Sequence, residues 1–279
     1  MTDRADPLKQ IAAALERMVP AIPAATDWAI APAYVWDGTA RAVDRIIAPP
    51  LALLRGIAAQ KDVVTANVAR LAAGHAAHDM LLWGARGMGK SVLLRASVAA
   101  AQANIAQEHT EANIALVQVA PEALASLSAL FGALARVERR FLVFIDDLGF
   151  EEGDSSGPRA LRSWLEGGVE ARPGNVRLAV TSNRRAIVPR HASEQDDPIN
   201  PRDAVDDRLA LADRFGLSVG FHACSQDDYL SIVGGYCTAH SLSWDRGEAL
   251  EWSKRRGARS GRVAWQFVTE LAGRVGKLI

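Results

Sequence analysis

From residue 57 onward, short apolar runs alternate with longer stretches whose apolar positions recur at helical spacing. The short runs are Met80-Leu81-Leu82-Trp83, Ile114 to Val119, Phe141 to Ile145, Val176 to Asn183 and Leu217 to Phe221. Each is rich in aliphatic residues without polar alternation, the pattern of strands buried on both faces. Between them lie helical runs: Ile57 to Leu71, a run opened by Val92-Leu93-Leu94, Pro121 to Ala135 with Leu124, Leu127 and Phe131 on one face, and Ala160 to Val169 with Leu161, Trp164 and Leu165. Strand and helix in turn predict an α/β domain with a five-stranded parallel sheet flanked by helices. Past the last strand the pattern becomes purely helical. Ser225-Gln226-Asp227-Asp228 is a capping-box signature for a helix to about Ala239, Ala249 to Arg256 gives another, and Ser260 caps a last one carrying Ala264, Phe267, Val268, Leu271 and Val275. The chain thus divides into an N-terminal helical and Pro-rich extension over 1–52, an α/β domain over 53–223 and a helical lid over 224–279.

In the extension, Asp6-Pro7 opens an amphipathic helix with Leu8, Ile11, Leu15 and Met18 on one face. Pro20, Pro23 and Pro32 then interrupt the chain. Trp28, Tyr34 and Trp36 are expected to dock on the main body, and Ala40 to Ile47 to form a second helical run ending at Pro49-Pro50. The polar stretch from Arg184 to Asp207 reads as a long surface excursion.

Composition narrows the possibilities. A 279-residue chain with 49% hydrophobic residues can bury a large core. Its 32 basic and 32 acidic residues leave no overall field to draw in nucleic acid or an anionic membrane. Cys224 and Cys237 lack metal-ligand spacing and read as plain thiols of a reducing compartment. The N-terminus carries acids where a signal peptide is basic, and no apolar span reaches membrane length, so a cytoplasmic location is expected.

The chemistry is concentrated where the first strand of the α/β domain meets its helix. Gly84-Ala85-Arg86-Gly87-Met88-Gly89-Lys90-Ser91 satisfies G-x-x-x-x-G-K-[ST] between a strand and a helix. Such a loop exposes backbone N–H groups to phosphate oxygens; Lys90 would reach the β- and γ-phosphates, Ser91 would ligate Mg²⁺, and Val92 continues the helix whose N-terminus adds positive charge. The Phe141 to Ile145 run delivers Asp146 and Asp147 to the carboxyl end of its strand, where ligands of parallel sheets bind. Asp146 would hold Mg²⁺, and Asp147, or else Glu151 or Glu152, would polarise the attacking water.

With these residues in place, the chain resembles the AAA+ ATPases, and more closely a group of bacterial AAA+ ATP-binding proteins of unestablished cellular role. The likeness runs from about Leu53 to the end. It is carried by Leu82 to Ser91, Asp146-Asp147-Leu148-Gly149-Phe150-Glu151-Glu152-Gly153-Asp154, Thr181-Ser182-Asn183-Arg184-Arg185 and Ser260-Gly261-Arg262-Val263-Ala264-Trp265-Gln266-Phe267. That group usually has Thr in place of Met88 and Ser in place of Ala212. Asp147 stands where many such ATPases have Glu.

The resemblance implies further roles. Ile57 would contact the adenine base or simply pack at a helix start. Asn183 would be the sensor of the γ-phosphate or its attacking water. Arg214, with Arg208 as the alternative, would act as an arginine finger in a neighbour's site, which implies a head-to-tail ring or helical homo-oligomer. Arg262, or else Arg259, would be a second sensor on the lid. The expected function is Mg²⁺-dependent ATP binding and hydrolysis coupled to lid and subunit movement, acting on an unidentified protein partner. An ATP-dependent switch with little turnover and a DNA-associated loader or remodeller are the alternatives; no sequence-reading motif supports the second.

Overall fold

Seven strands form one sheet in the order β2-β1-β4-β5-β6-β3-β7. The computed structural model describes residues 26–107, 114–149, 161, 163–165, 172–183 and 213–279. The strands are β1 (Ala33–Trp36), β2 (Ala40–Val43), β3 (Met80–Gly84), β4 (Ile114–Val119), β5 (Arg140–Ile145), β6 (Val176–Ser182) and β7 (Leu217–Phe221). The helices are α1 (Ala58–Ala72), α2 (Lys90–Gln107), α3 (Leu127–Leu134), α4 (Gln226–Ala239), α5 (Arg246–Arg255) and α6 (Gly261–Arg274). A 3₁₀ segment, Pro121–Ser126, leads into α3 in place of one continuous helix.

The five expected strands are all present and pair in parallel, β4 with β5, β5 with β6, β6 with β3, and β3 with β7. Their runs are largely apolar because both faces of the central strands are covered. One core cluster joins Leu81, Val117, Val143 and Val180 to α3, and another joins Met80, Leu82, Leu116 and Phe144 to α1 and α2. Successive residues of one strand thus serve opposite cores.

The N-terminal segment differs from expectation. Ala40–Val43 is a strand, not the start of a helix running to Ile47, and the sheet has seven strands rather than five. β1 adds in parallel to β4, and β2 folds back on β1 as the one antiparallel strand at the edge. The turn between them explains this. Asp37 Oδ1 accepts from Thr39 N at 3.1 Å and from Thr39 Oγ1 at 2.9 Å, and Gly38 takes φ +105°, which closes a hairpin and fixes the next four residues opposite β1. Trp28, Tyr34 and Trp36 are buried in the first core cluster, as their docking role required. Buried Arg139 ties the segment down, its Nη1 donating to the carbonyls of Trp28, Ala29 and Ala31 at 2.8–3.1 Å. The expected helix from Asp6 to Met18 lies outside the described residues, as does the excursion over 184–207.

After β7 the chain forms α4, α5 and α6 around their own core, centred on Tyr229, Val233, Ala264 and Phe267. Each helix begins at the side chain that caps it: Ser225 accepts from Asp228 N, Asp245 from Glu248 N, and Ser260 from Val263 N. Among the described residues, no helix is long and apolar enough to cross a membrane.

Candidate active site

Parallel pairing places the carboxyl ends of β3, β5 and β6 side by side, so the residues that leave these strands converge. The loop from Gly84 to Gly89 joins β3 to α2. Gly84 has φ +124°, and a Cβ there would lie 2.0 Å from the Phe221 carbonyl oxygen, so no other residue lets β7 approach. Ala85 N donates to that same oxygen at 3.1 Å and fixes the first corner of the loop.

Lys90 is buried at the start of α2, and its ammonium donates to the carbonyls of Gly84 at 2.8 Å and Ala85 at 3.0 Å. Burial lowers its pKa below the usual lysine value, and Asp147 and Asp146 offset part of that. The ammonium is thus poised over the loop on two neutral acceptors, which an anionic oxygen outcompetes.

Asp146, one residue past β5, is the hub. Its Oδ1 accepts from Ser91 Oγ and from Thr181 Oγ1, each at 2.6 Å. Thr181, fully buried on β6, also accepts from Asp147 N at 2.8 Å, while its carbonyl accepts from Leu148 N at 2.8 Å. One threonine thereby fixes the direction in which both acids leave the sheet. Asp147 sits at φ +52°, uncommon for a residue with a side chain, and its exposed carboxylate accepts from Asn183 Nδ2 and faces Arg86 Nη2 at 3.8 Å.

These groups line a cavity of about 930 Å³. Its walls include Arg86, Gly87, Met88, Gly89, Lys90, Ser91 and Val92, then Asp146, Asp147, Thr181 and Asn183, with Ile57 and Arg262 opposite. Ile57 is buried in the second core cluster and also reaches the cavity wall. The lid meets the loop directly. Arg262 N donates to the Gly87 carbonyl at 3.2 Å, and Gly87, at φ +76°, leaves room for Ser260 Oγ, which would stand 2.9 Å from a Cβ there. The wall holds five cationic side chains, Arg55, Arg86, Lys90, Arg95 and Arg262, against two carboxylates, in a chain of zero net charge. That excess suits a polyanion.

Oxygen donors alone surround Asp146, which fits a hard cation such as Mg²⁺, held by one carboxylate and one hydroxyl with the remainder left to water and phosphate. Among the described residues no cluster of three His, Cys, Asp or Glu could form a protein-only cage.

Arg214 lies elsewhere. It precedes β7, whose Leu217 pairs with Met80 and Phe221 with Gly84, so it stands at the opposite end of the sheet from the loop and does not line the cavity. A five-residue strand, roughly 13 Å at about 3.3 Å per residue, separates the two ends. Arg259 is also off the cavity wall. Glu151, Glu152 and Arg208 lie outside the described residues. Sequence reasoning assigned no role to Thr181, to the strap Ile47 to Pro50, or to the lid residues Tyr236, His240 and Trp265, all of which line the cavity. Trp265 packs edge-on to Tyr236 at 5.0 Å and to His240 at 5.7 Å. The available signals were slight: a threonine two residues before Asn183, and a tryptophan one helical turn after Arg262.

Comparison with known proteins places these features in context. The family described as "Protein of unknown function (DUF815)" matches residues 29–275. No curated protein matches in sequence. Among solved structures, the ORC1 protein of Aeropyrum pernix in complex with DNA is similar at TM-score 0.54 and 15% identity, over 82% of this chain and 65% of that one. The ORC2 protein of the same organism, in ADPNP and ADP complexes, gives 0.52 and 17%, over 83% and 66%. A point variant of Thermotoga maritima RuvB gives 0.52 and 17%, over 83% and 69%. The chain therefore spans about two thirds of the length of these proteins. At such identities the likeness establishes a shared fold.

Proposed function

We propose that this chain, which belongs to the DUF815 family and has the AAA+ P-loop fold, binds Mg²⁺-ATP in the cavity between loop and lid and hydrolyses it. The observation that carries the reading is Asp146 Oδ1 shared by the Ser91 and Thr181 hydroxyls beside the poised Lys90.

In this reading Lys90 moves from the Gly84 and Ala85 carbonyls to the β- and γ-phosphates, exchanging neutral acceptors for charged ones. Ser91 and Asp146 hold Mg²⁺, which supplies charge neutralisation at the transferred phosphoryl group. Asn183 and Asp147 orient the attacking water. The apolar end of the cavity, formed by Ile57 and the strap on one side and Tyr236 on the lid, takes the base. Arg262 senses the phosphates, and its backbone bond to Gly87 passes their presence to α6. Catalysis is then positioning and electrostatics, with no covalent step for the protein.

Arg214 is assigned to a neighbour's site. Its place at the far end of the sheet from its own loop supports that assignment, because a finger acting in trans requires a head-to-tail homo-oligomer. Movement of lid and subunits would act on a protein partner.

A second reading has its own observation. The carboxylate of Asp147 is one methylene shorter than a glutamate and is engaged by Asn183 and Arg86, an arrangement that suits a nucleotide-dependent switch with little turnover.

Steady-state ATP hydrolysis over a range of protein concentrations separates the two. Turnover that rises cooperatively, vanishes in Lys90→Ala and partly returns when Arg214→Ala is mixed with Asp147→Ala is the expected result. Tight ATP binding without turnover at any concentration would leave the switch. Absence of ATP binding would end both readings.

A further inference from the structure

Arg95 on α2 is a charged side chain without a partner among the described residues. It is half-buried and lines the cavity, and its Nε is buried without a hydrogen-bond partner. Its guanidinium makes no hydrogen bond or ion pair among the described residues. Three other cavity cations are occupied, Lys90 on two carbonyls, Arg86 facing Asp147 and Arg55 reaching the Ser231 carbonyl at 3.4 Å, and the fourth, Arg262, is exposed, so its guanidinium is not held away from water as Arg95 Nε is. A guanidinium cannot shed its proton to escape burial, so an unbonded one is costly. Such a group is explained when its acceptor arrives from outside the chain.

Its position indicates which acceptor. Arg95 follows Ser91 by four residues and Val92 by three, so it shares their side of the helix one turn further on. Helical side chains lean toward the N-terminus, so Arg95 covers the surface over Ser91 and Val92. In a phosphate loop the backbone N–H groups leading into that turn cradle the α- and β-phosphates, whereas the lysine serves the β- and γ-phosphates.

We infer that Arg95 is a nucleotide-contact residue whose guanidinium fork grips the α-phosphate, so that the site distinguishes a nucleoside diphosphate from pyrophosphate, which the β and γ positions alone can hold. This rests on reading the cavity as a nucleoside triphosphate site. Lys90, Ser91 and the loop amides grasp any chain of phosphates. Arg95 adds donors where the phosphate chain becomes a nucleotide.

Calorimetric titration of Mg²⁺-ADP and of Mg²⁺-pyrophosphate into wild type, Arg95→Met and Arg95→Lys tests the assignment, with melting temperatures measured without ligand. A charge-assisted hydrogen bond corresponds to a loss of roughly ten- to a hundredfold in ADP affinity for Arg95→Met. Pyrophosphate affinity should change less than about threefold, because two phosphates can occupy the β and γ positions that Lys90 serves. Arg95→Lys should fall between, keeping the charge and losing the fork. The ligand-free Arg95→Met protein should melt at the wild-type temperature or above it, since the guanidinium has no internal bond to lose. Unchanged ADP affinity would overturn the inference. So would an equal loss for both ligands, which would make Arg95 a general contributor of charge, or a lower ligand-free melting temperature, which would make it structural. Wild type that binds neither ligand would instead overturn the nucleotide reading on which this one stands.

Discussion

Replacing Thr181 with Val tests how the two acids are held. The substitution keeps the volume and removes one hydroxyl that makes two bonds: it donates to Asp146 Oδ1 at 2.6 Å and accepts from Asp147 N at 2.8 Å. The first is charge-assisted, about 1.5–3 kcal/mol. The second is a neutral bond to an exposed residue whose N–H water can reach, about 0.5–1 kcal/mol. Together they predict a loss of about 2–4 kcal/mol, or roughly 4–16 °C in melting temperature for a chain of this size. Ser91 still donates to Asp146, so the carboxylate keeps one partner and nucleotide affinity should change little. Turnover should fall by roughly ten- to a hundredfold, because Asp146 and Asp147 lose the group that sets their direction. Thr181→Ser retains the hydroxyl and should recover both. Urea unfolding, fluorescent-nucleotide titration and phosphate release measure the three quantities. A Val variant within about 0.5 kcal/mol of wild type and with full turnover would refute the reasoning, since that is the ordinary scatter of surface substitutions.

Three other outcomes are expected. Gly87→Ala forces a side chain into φ +76° and sets its Cβ 2.9 Å from Ser260 Oγ, so about 1–2 kcal/mol of backbone strain adds to about 1–3 kcal/mol of overpacking. Urea unfolding should register the loss, and the thermal shift on adding ADP should shrink as α6 is pushed off the loop. Arg139→Met removes the donor of three bonds to Trp28, Ala29 and Ala31 and of one to Ile114, which should cost about 3 kcal/mol or more and speed hydrogen exchange at the β1 amides. For Lys90, burial places the native pKa below the usual 10.5 of the unfolded chain. Below the native value both states are protonated and the desolvation cost is carried in full; as pH rises through it the native chain releases the proton first and gains stability. Lys90→Met should therefore unfold no earlier than wild type at pH 7, with wild type gaining on it toward pH 10 in paired urea titrations, and it should lose ATP binding altogether.

The elements that could be read from the sequence are those whose local pattern and tertiary role agree. Ile114–Val119 is a strand to the residue because a nearly unbroken apolar run fits the interior of a covered parallel sheet, and Leu217–Phe221, at the sheet edge, because its apolar residues alternate with Ser218 and Gly220. The first and last lid helices start at the expected Ser225 and Ser260 because a cap is a bond within four residues of chain, whereas the middle one, expected from Ala249, begins a turn earlier at Arg246, where Asp245 caps it. The phosphate loop belongs with them, since its spacing is itself the geometry of the cradle. β1 and β2 are the contrary case. Four residues are too few for a period, and Ala40-Arg41-Ala42-Val43 suits a helix as well as a strand; pairing with Tyr34 and Val35 decides it. Asp37-Gly38 was the one local sign of a hairpin.

The active site divides in the same way. By itself the sequence determined which residues are the candidates for the proposed chemistry: the loop, Lys90, Ser91 and the acid pair at the end of an apolar strand. Only the tertiary structure decided their relations. It put the Thr181 hydroxyl on Asp146, brought Asn183 to Asp147, docked Ser260 and Arg262 on Gly87, left Arg95 facing the cavity unpaired, and set Arg214 at the other end of the sheet. The reason is physical. A motif records short-range constraints of backbone and charge, whereas these contacts join strands and helices distant in the chain, and their partners are chosen by the order in which the strands pair and by the packing of the lid on the loop.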